Sequence, residues 1–134
     1  MLSELELKDI AYSLVGTPYN QEAHPTTHCP EIGFNCYTWT AYLHQKADKY
    51  LDDLPDQFKF LKYLRGNFIE VTDGNYQTLD IPMFCFSDLN TRHIGVMLDK
   101  YTFTHCSKGT NGVAVHNINS FPWASILRKV YRHK

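Results

Sequence analysis

Residues 93–115, HIGVMLDKYTFTHCSKGTNGVAV, hold three short runs of β-branched and aromatic residues separated by polar turns. Such runs, HIGVML, YTFTHC and the one opening at Gly112, make an antiparallel meander. The pair Asp99–Lys100 suits a two-residue hairpin, although it lacks the glycine those turns favour. With that turn, Ile94 falls about opposite His105, and His93 about opposite Cys106. Either register brings His93 and His105 to the same end of the hairpin.

The same period extends outward from this stretch. NFIEV, IPMFCF and GVAVHNI are short apolar or alternating runs, and ILRKVYRH closes the chain as a last strand. Before Gly66 the period is helical. Ser3 and Glu6 form a capping box ahead of a stripe of Leu7, Ile10, Ala11, Leu14 and Val15, and Gly16 and Pro18 end that helix. Residues 17–34 carry three prolines and no periodicity, so they are loop. A second helix starts with Asn35 as N-cap and runs through Cys36, Thr40 and Leu43 to about Lys49. A third, DLPDQFKFLKYLRG, places Phe58, Leu61 and Leu64 on one face and Gly66 at its end. Helices first and strands after predict an α+β fold, a single domain over 1–134 with the early helices packed on a mainly antiparallel sheet.

The chain of 134 residues is long enough for a core of its own, and 43% hydrophobic with 14% aromatic residues is a globular composition. A formal net charge of −1 leaves no block of Lys and Arg to neutralise phosphates, which argues against nucleic acid as a partner. No stretch approaches the roughly 20 apolar residues of a membrane span. The opening MLSELELKDIAYSLVG is acidic and amphipathic, without the basic n-region and apolar run of a signal peptide. The expectation is synthesis in the cytoplasm, with any export by a route that needs no cleaved leader. Cys29, Cys36, Cys85 and Cys106 show no paired spacing, so thiols rather than disulfides are expected.

Chemistry concentrates on Cys36. A helix N-terminus offers unpaired N–H groups and a partial positive charge, both of which favour a thiolate. Free cysteine is also among the most buried residue types, so position alone does not assign a role. A nucleophile needs a base, and a histidine on a rigid element serves best. Of seven histidines, His44 lies mid-helix, His133 is terminal, and His24 and His28 sit in the proline-bearing loop. His93 and His105 remain as a cross-strand pair in which one imidazole takes the thiol proton and the other fixes its tautomer. A competing arrangement is metal binding by His24, His28, Cys29 and Cys36, although H-x3-H-C-x6-C is no standard zinc knuckle. Cys85 and Cys106 are expected to pack in the core, Cys106 on the face opposite His105.

Taken together, these segments resemble the NlpC/P60 cysteine peptidases, which cleave amide bonds in bacterial cell-wall peptides. LVGTPY is similar to that family's LGTPY, and GFNCYTWTAYL to its GFDCSGLVxY nucleophile helix. LDIPMFCF stands where the family has LxPGDLVFF, and RHIGVMLDKYTFTHCSKGTNGVAV is similar to xHVGIYLGxGxFIHASxxxGV. The resemblance covers nearly the whole chain and implies a papain-like fold. It makes Cys36 the nucleophile, His93 the general base and His105 the residue that orients it. It also places Tyr19 beside the nucleophile, with the Cys36 backbone N–H as oxyanion donor and Tyr19 as a second. No metal or organic cofactor is required.

The resemblance further implies a peptidoglycan stem or cross-link peptide as substrate. With no leader, it points to a phage tail or lysis component, or to an effector injected into rival cells. The partner would then be a tail structure or an immunity protein. Departures concern the substrate. The family's Asp-Cys-Ser-Gly is Asn35–Cys36–Tyr37–Thr38 here, and an amide in place of a carboxylate loses most of its attraction for an ammonium group. A thiol amidase or transferase acting on a non-wall substrate is therefore the second reading, and a zinc-holding binding module the third.

Overall fold

A computed structural model describes residues 2–20, 33–49, 51, 57–86 and 92–134. Helix α1 (Glu4–Ser13) is capped as its sequence predicts: Ser3 Oγ accepts the Glu6 N–H at 3.1 Å, and Glu6 Oε1 accepts the Ser3 N–H at 3.3 Å. It buries Leu7 and Ala11, whereas Val15 stays half in solvent beyond the helix end. Helix α2 (Cys36–Lys46) begins at its expected N-cap and stops three residues short of Lys49. Asp48 there takes a left-handed φ of 59°, which a continuing helix cannot accommodate. Helix α3 (Gln57–Asn67) buries Phe60 and Leu64. The side chains of Phe58 and Leu61 lie outside the description. Gly66 does not stop α3, which runs on directly into β1 (Phe68–Glu70).

The remaining strands are β2 (Ile81–Cys85), β3 (Arg92–Ile94), β4 (Val96–Met97), β5 (Thr102–Ser107), β6 (Gly112–Asn117) and β7 (Leu127–His133), with a short α4 (Trp123–Ile126) before the last. They form two antiparallel sheets, in the orders β1-β7-β2-β3 and β4-β5-β6. The architecture is α+β. The final strand lies in the interior of its sheet, between β1 and β2, and a paired Arg132–Asp80 clamp (2.9 Å to each carboxylate oxygen) ties it to the segment entering β2.

HIGVML is two strands, not one. The break falls at Gly95, whose N–H still bonds to the Pro82 carbonyl at 3.1 Å while the chain crosses from one sheet to the other. A Cβ at that position would sit 2.7 Å from the Thr104 carbonyl oxygen, so only glycine permits the crossing. The hairpin to β5 also differs from expectation by one residue. Asp99 Oδ1 accepts the N–H groups of both Tyr101 and Thr102 at 2.8 Å, which draws Tyr101 into the turn. Val96 then opposes Thr104, and Met97 opposes Phe103. His93 pairs with Phe84 of β2 and not with β5 at all.

Three buried clusters hold these layers together. Leu7, Phe34, Trp39, Leu43, Val96 and Cys106 join α1 and α2 to the second sheet. Phe60, Leu64, Phe68, Ile81, Ile94 and Tyr131 join α3 to the first. Phe84, Met97, Phe103, Ile118 and Trp123 fill the seam between the sheets. The Trp39 indole N–H donates to Thr104 Oγ1 at 3.2 Å, fixing the rotation of α2 over β5.

Candidate active site

Cys36 is the first residue of α2, and its placement follows from the cap. Asn35 Oδ1 accepts the Thr38 N–H at 2.9 Å, and Thr38 Oγ1 accepts the Asn35 N–H at 2.9 Å. The chain enters this cap through Gly33, whose φ of 96° suits only glycine. A Cβ there would collide with the Pro18 carbonyl, the same group that accepts the Phe34 N–H at 3.0 Å. Tyr19 is thereby bridged to Phe34 and held beside the start of α2. Both Tyr19 and Cys36 line a cleft of about 710 Å³, together with Asn35, Tyr37 and His93.

The electrostatics at Cys36 run against the sequence expectation of a depressed thiol. The backbone N–H of Ile94 in β3, and those of Cys36 and Tyr37 at the helix N-terminus, lower its pKa. Burial outweighs them and pushes the thiol up to about 11. Burial is also the larger cause raising the Tyr19 phenol, followed by the nearby Cys36 and Cys106. Both shifts favour the neutral forms of Cys36 and Tyr19.

His93 and His105 come together although their strands lie in different sheets. His93 Nε2 and His105 Nδ1 are 2.7 Å apart, with ring centroids at 4.9 Å and planes at 78°. Both imidazoles are buried, His105 completely. Burial lowers the pKa of each, and the charges of His93 and His116 lower His105 further. A single proton occupies the bond between them. With that proton on His93 Nε2, His93 Nδ1 carries a lone pair and can accept a proton from a thiol.

Asn35 and Tyr37 border the cleft, but each is engaged in structure. The Asn35 amide oxygen belongs to the helix cap, and the Tyr37 ring packs edge-on against Phe60 at 5.0 Å. Cys85 and Cys106 are buried, as packing residues should be. Cys106 donates to the Phe34 carbonyl at 3.1 Å and also borders the cleft. His44 is buried with Nδ1 donating to the Thr40 carbonyl at 2.8 Å. His133, near the end of the sequence, lies in β7 with its ring edge-on to Phe68.

His24, His28 and Cys29 lie outside the described residues. Among the described residues no group of three or more His, Cys, Asp or Glu could hold a metal, and no helix is long and apolar enough to cross a membrane.

Sequence reasoning missed Trp123, Phe86, Arg92 and Lys108, which also line the cleft. Trp123 lies against three imidazoles, with centroids 4.7 Å from His105, 5.2 Å from His116 and 6.4 Å from His93. Its only local signal is the Pro122 before it. The β5–β6 register, Phe103 opposite His116 and His105 opposite Ala114, would have placed His116 on the His105 face.

No family model and no curated protein matches the sequence. Solved structures do. An NLP/P60 family protein from Staphylococcus aureus, described as similar to a lipoprotein, superposes with a TM-score of 0.69 at 19% identity over 95% of this chain. An NlpC/P60 family protein from Bacillus cereus gives 0.74 at 15% identity over 98% of it. This chain spans only 40% of the length of each of those two. The NlpC/P60 domain of the peptidoglycan hydrolase SagA gives 0.66 at 18% identity, over 96% of this chain and 97% of that domain. In helices and sheets over nearly its whole length, the chain has the NlpC/P60 fold.

Proposed function

We propose that the protein is a cysteine hydrolase that cleaves an amide bond in peptidoglycan stem or cross-link peptides. One observation carries this reading: Cys36 at a helix N-terminus shares a cleft with His93, which is tied to His105 at 2.7 Å. As the Cys36 sulfur attacks the carbonyl carbon, its proton passes to His93 Nδ1. His93 then gives that proton to the amine nitrogen as the C–N bond breaks, leaving a thioester on Cys36. A water deprotonated by His93 hydrolyses the thioester, which releases the acid and restores the thiol. The Cys36 backbone N–H, with the Tyr19 hydroxyl, stabilises the oxyanion. The raised thiol pKa supports proton transfer in step with attack, rather than a preformed thiolate–imidazolium pair.

The charge of the cleft supports an acidic substrate. Lys108, an exposed cation, lines it, and among the described residues no carboxylate does. Asn35 stands where the resemblance has an aspartate, so recognition of an ammonium end is not favoured. The second reading, an amidase or transferase acting on a non-wall substrate, draws on the same feature together with the packed Tyr37.

The test is a panel of stem peptides, their α-amidated forms, and unrelated amides, with products identified by mass spectrometry. The wall reading expects cleavage of the acidic stem peptides, and loss of at least about 10²-fold in kcat/KM for His93→Ala. Turnover confined to the unrelated amides would move the assignment to the second reading.

A further inference from the structure

The His93–His105 pair leaves one nitrogen unaccounted for. Among the described residues, neither His105 Nε2 nor His116 Nε2, both buried, has a hydrogen-bond partner. The two rings lie 5.1 Å apart, centroid to centroid, at 46°. Their strands explain the meeting: His105 opposes Ala114 and His116 opposes Phe103, so the two histidines are diagonal neighbours on one face of the second sheet. Trp123 packs across both rings, its centroid 4.7 Å from His105 and 5.2 Å from His116. Two buried polar atoms facing no partner each carry a desolvation cost, which a donor and an acceptor in register would remove.

The tautomers link that pair to the thiol. If the proton between His93 and His105 sits on His93 Nε2, a neutral His105 must carry its own proton on Nε2. If it sits on His105 Nδ1, a neutral His93 is protonated on Nδ1 and cannot take a proton from Cys36. An acceptor facing His105 Nε2 selects the first arrangement, and a donor there selects the second.

We propose that His116 is a positioning residue whose Nε2 accepts, through one bridging water, the Nε2 proton of His105 and so holds His93 in its base-competent tautomer. The chain of protons runs from the cleft inward: thiol to His93 Nδ1, His93 Nε2–H to His105 Nδ1, and His105 Nε2–H through the water to His116 Nε2. No bond to substrate is made by His116. The catalytic consequence rests on the hydrolase reading, whereas the tautomer assignment does not.

Imidazole ¹⁵N spectra of the full chain at a pH above the histidine range separate these points. They are recorded for the wild type, His116→Phe and His116→Gln, each also in a Cys36→Ala background that cannot turn over. Wild-type His93 and His105 are expected to be protonated on Nε2. His116→Phe keeps a ring but removes the acceptor, so a substantial fraction of His93 moves to the Nδ1–H form. His116→Gln supplies an amide oxygen and restores the wild-type pattern. In the active background His116→Phe lowers kcat about ten-fold at unchanged KM, and His116→Gln recovers most of it.

Unchanged His93 and His105 tautomers in His116→Phe would overturn the proposal, even if every peptide were still cleaved. A tautomer shift in a protein that cleaves no amide would sustain the positioning role and remove the hydrolase reading instead.

Discussion

At Cys36 two influences oppose one another. Three backbone N–H groups favour the thiolate, burial favours the thiol, and burial prevails with a pKa of about 11. Alkylation of Cys36 by iodoacetamide in the free protein should therefore keep rising through alkaline pH, without a plateau below the ordinary thiol value of ~8.5. Peptide-resolved mass spectrometry reads this directly, and His93→Ala should leave the profile in place. A low-pH plateau that vanishes with His93 would mean a preformed ion pair, in which His93 outweighs burial. The position of Cys36 was legible in the sequence because Asn35 announces the cap. Its ionisation was not, since depth of burial depends on β3 passing over it. Lys108 belongs to the same scale. Lys108→Glu should lower kcat/KM for an acidic peptide roughly five-fold, with kcat little changed, because an exposed cation contributes about 1 kcal/mol to binding a carboxylate.

Among the elements, the β3–β4 break decides the site. Without it His93 would continue the hairpin; with it His93 lies in the first sheet, facing His105 in the second. Gly95→Ala should cost about 1–3 kcal/mol in denaturant unfolding, since the new methyl meets the Thr104 carbonyl and crowds the His105 Cβ at 3.3 Å. Activity should fall more than that loss of stability explains, because the collision moves His105 against His93. A stable variant with full activity would show that the crossing is not what sets the pair. The apolar runs of the sequence located nearly every strand. The split at Gly95 escaped notice because a single glycine in an apolar run looks like strand interior, and the register escaped because an aspartate side chain, not the turn length, fixed it.

The whole molecule keeps several imidazoles neutral inside it. His44 is fully buried and its pKa is lowered to about 4 by burial, with His93 and His105 shifted in the same direction. A histidine whose folded pKa lies below its unfolded value withholds protons that the unfolded chain accepts. Stability should therefore fall as pH drops through about 6.5 and go on falling to about 4, by about 3 kcal/mol from His44 alone. Urea titrations across that range check it, and His44→Leu should flatten the acid side of the curve. An unchanged slope would show that His44 does not titrate differently on folding. At this scale the α+β class and the NlpC/P60 likeness were legible from segment order and from residues 93–115. The interior position of β7 and the seam occupied by Trp123 were not, because both arise from contacts between segments far apart in the chain. The central claim is hydrolysis through Cys36. Its most direct measurement is an acid-quenched reaction on acidic stem peptides, with intact-protein and peptide mass spectrometry of wild type and Cys36→Ala. The account predicts cleaved peptide together with an acyl group on Cys36 in the wild type, and neither in the variant. Cleavage that survives in Cys36→Ala would contradict it.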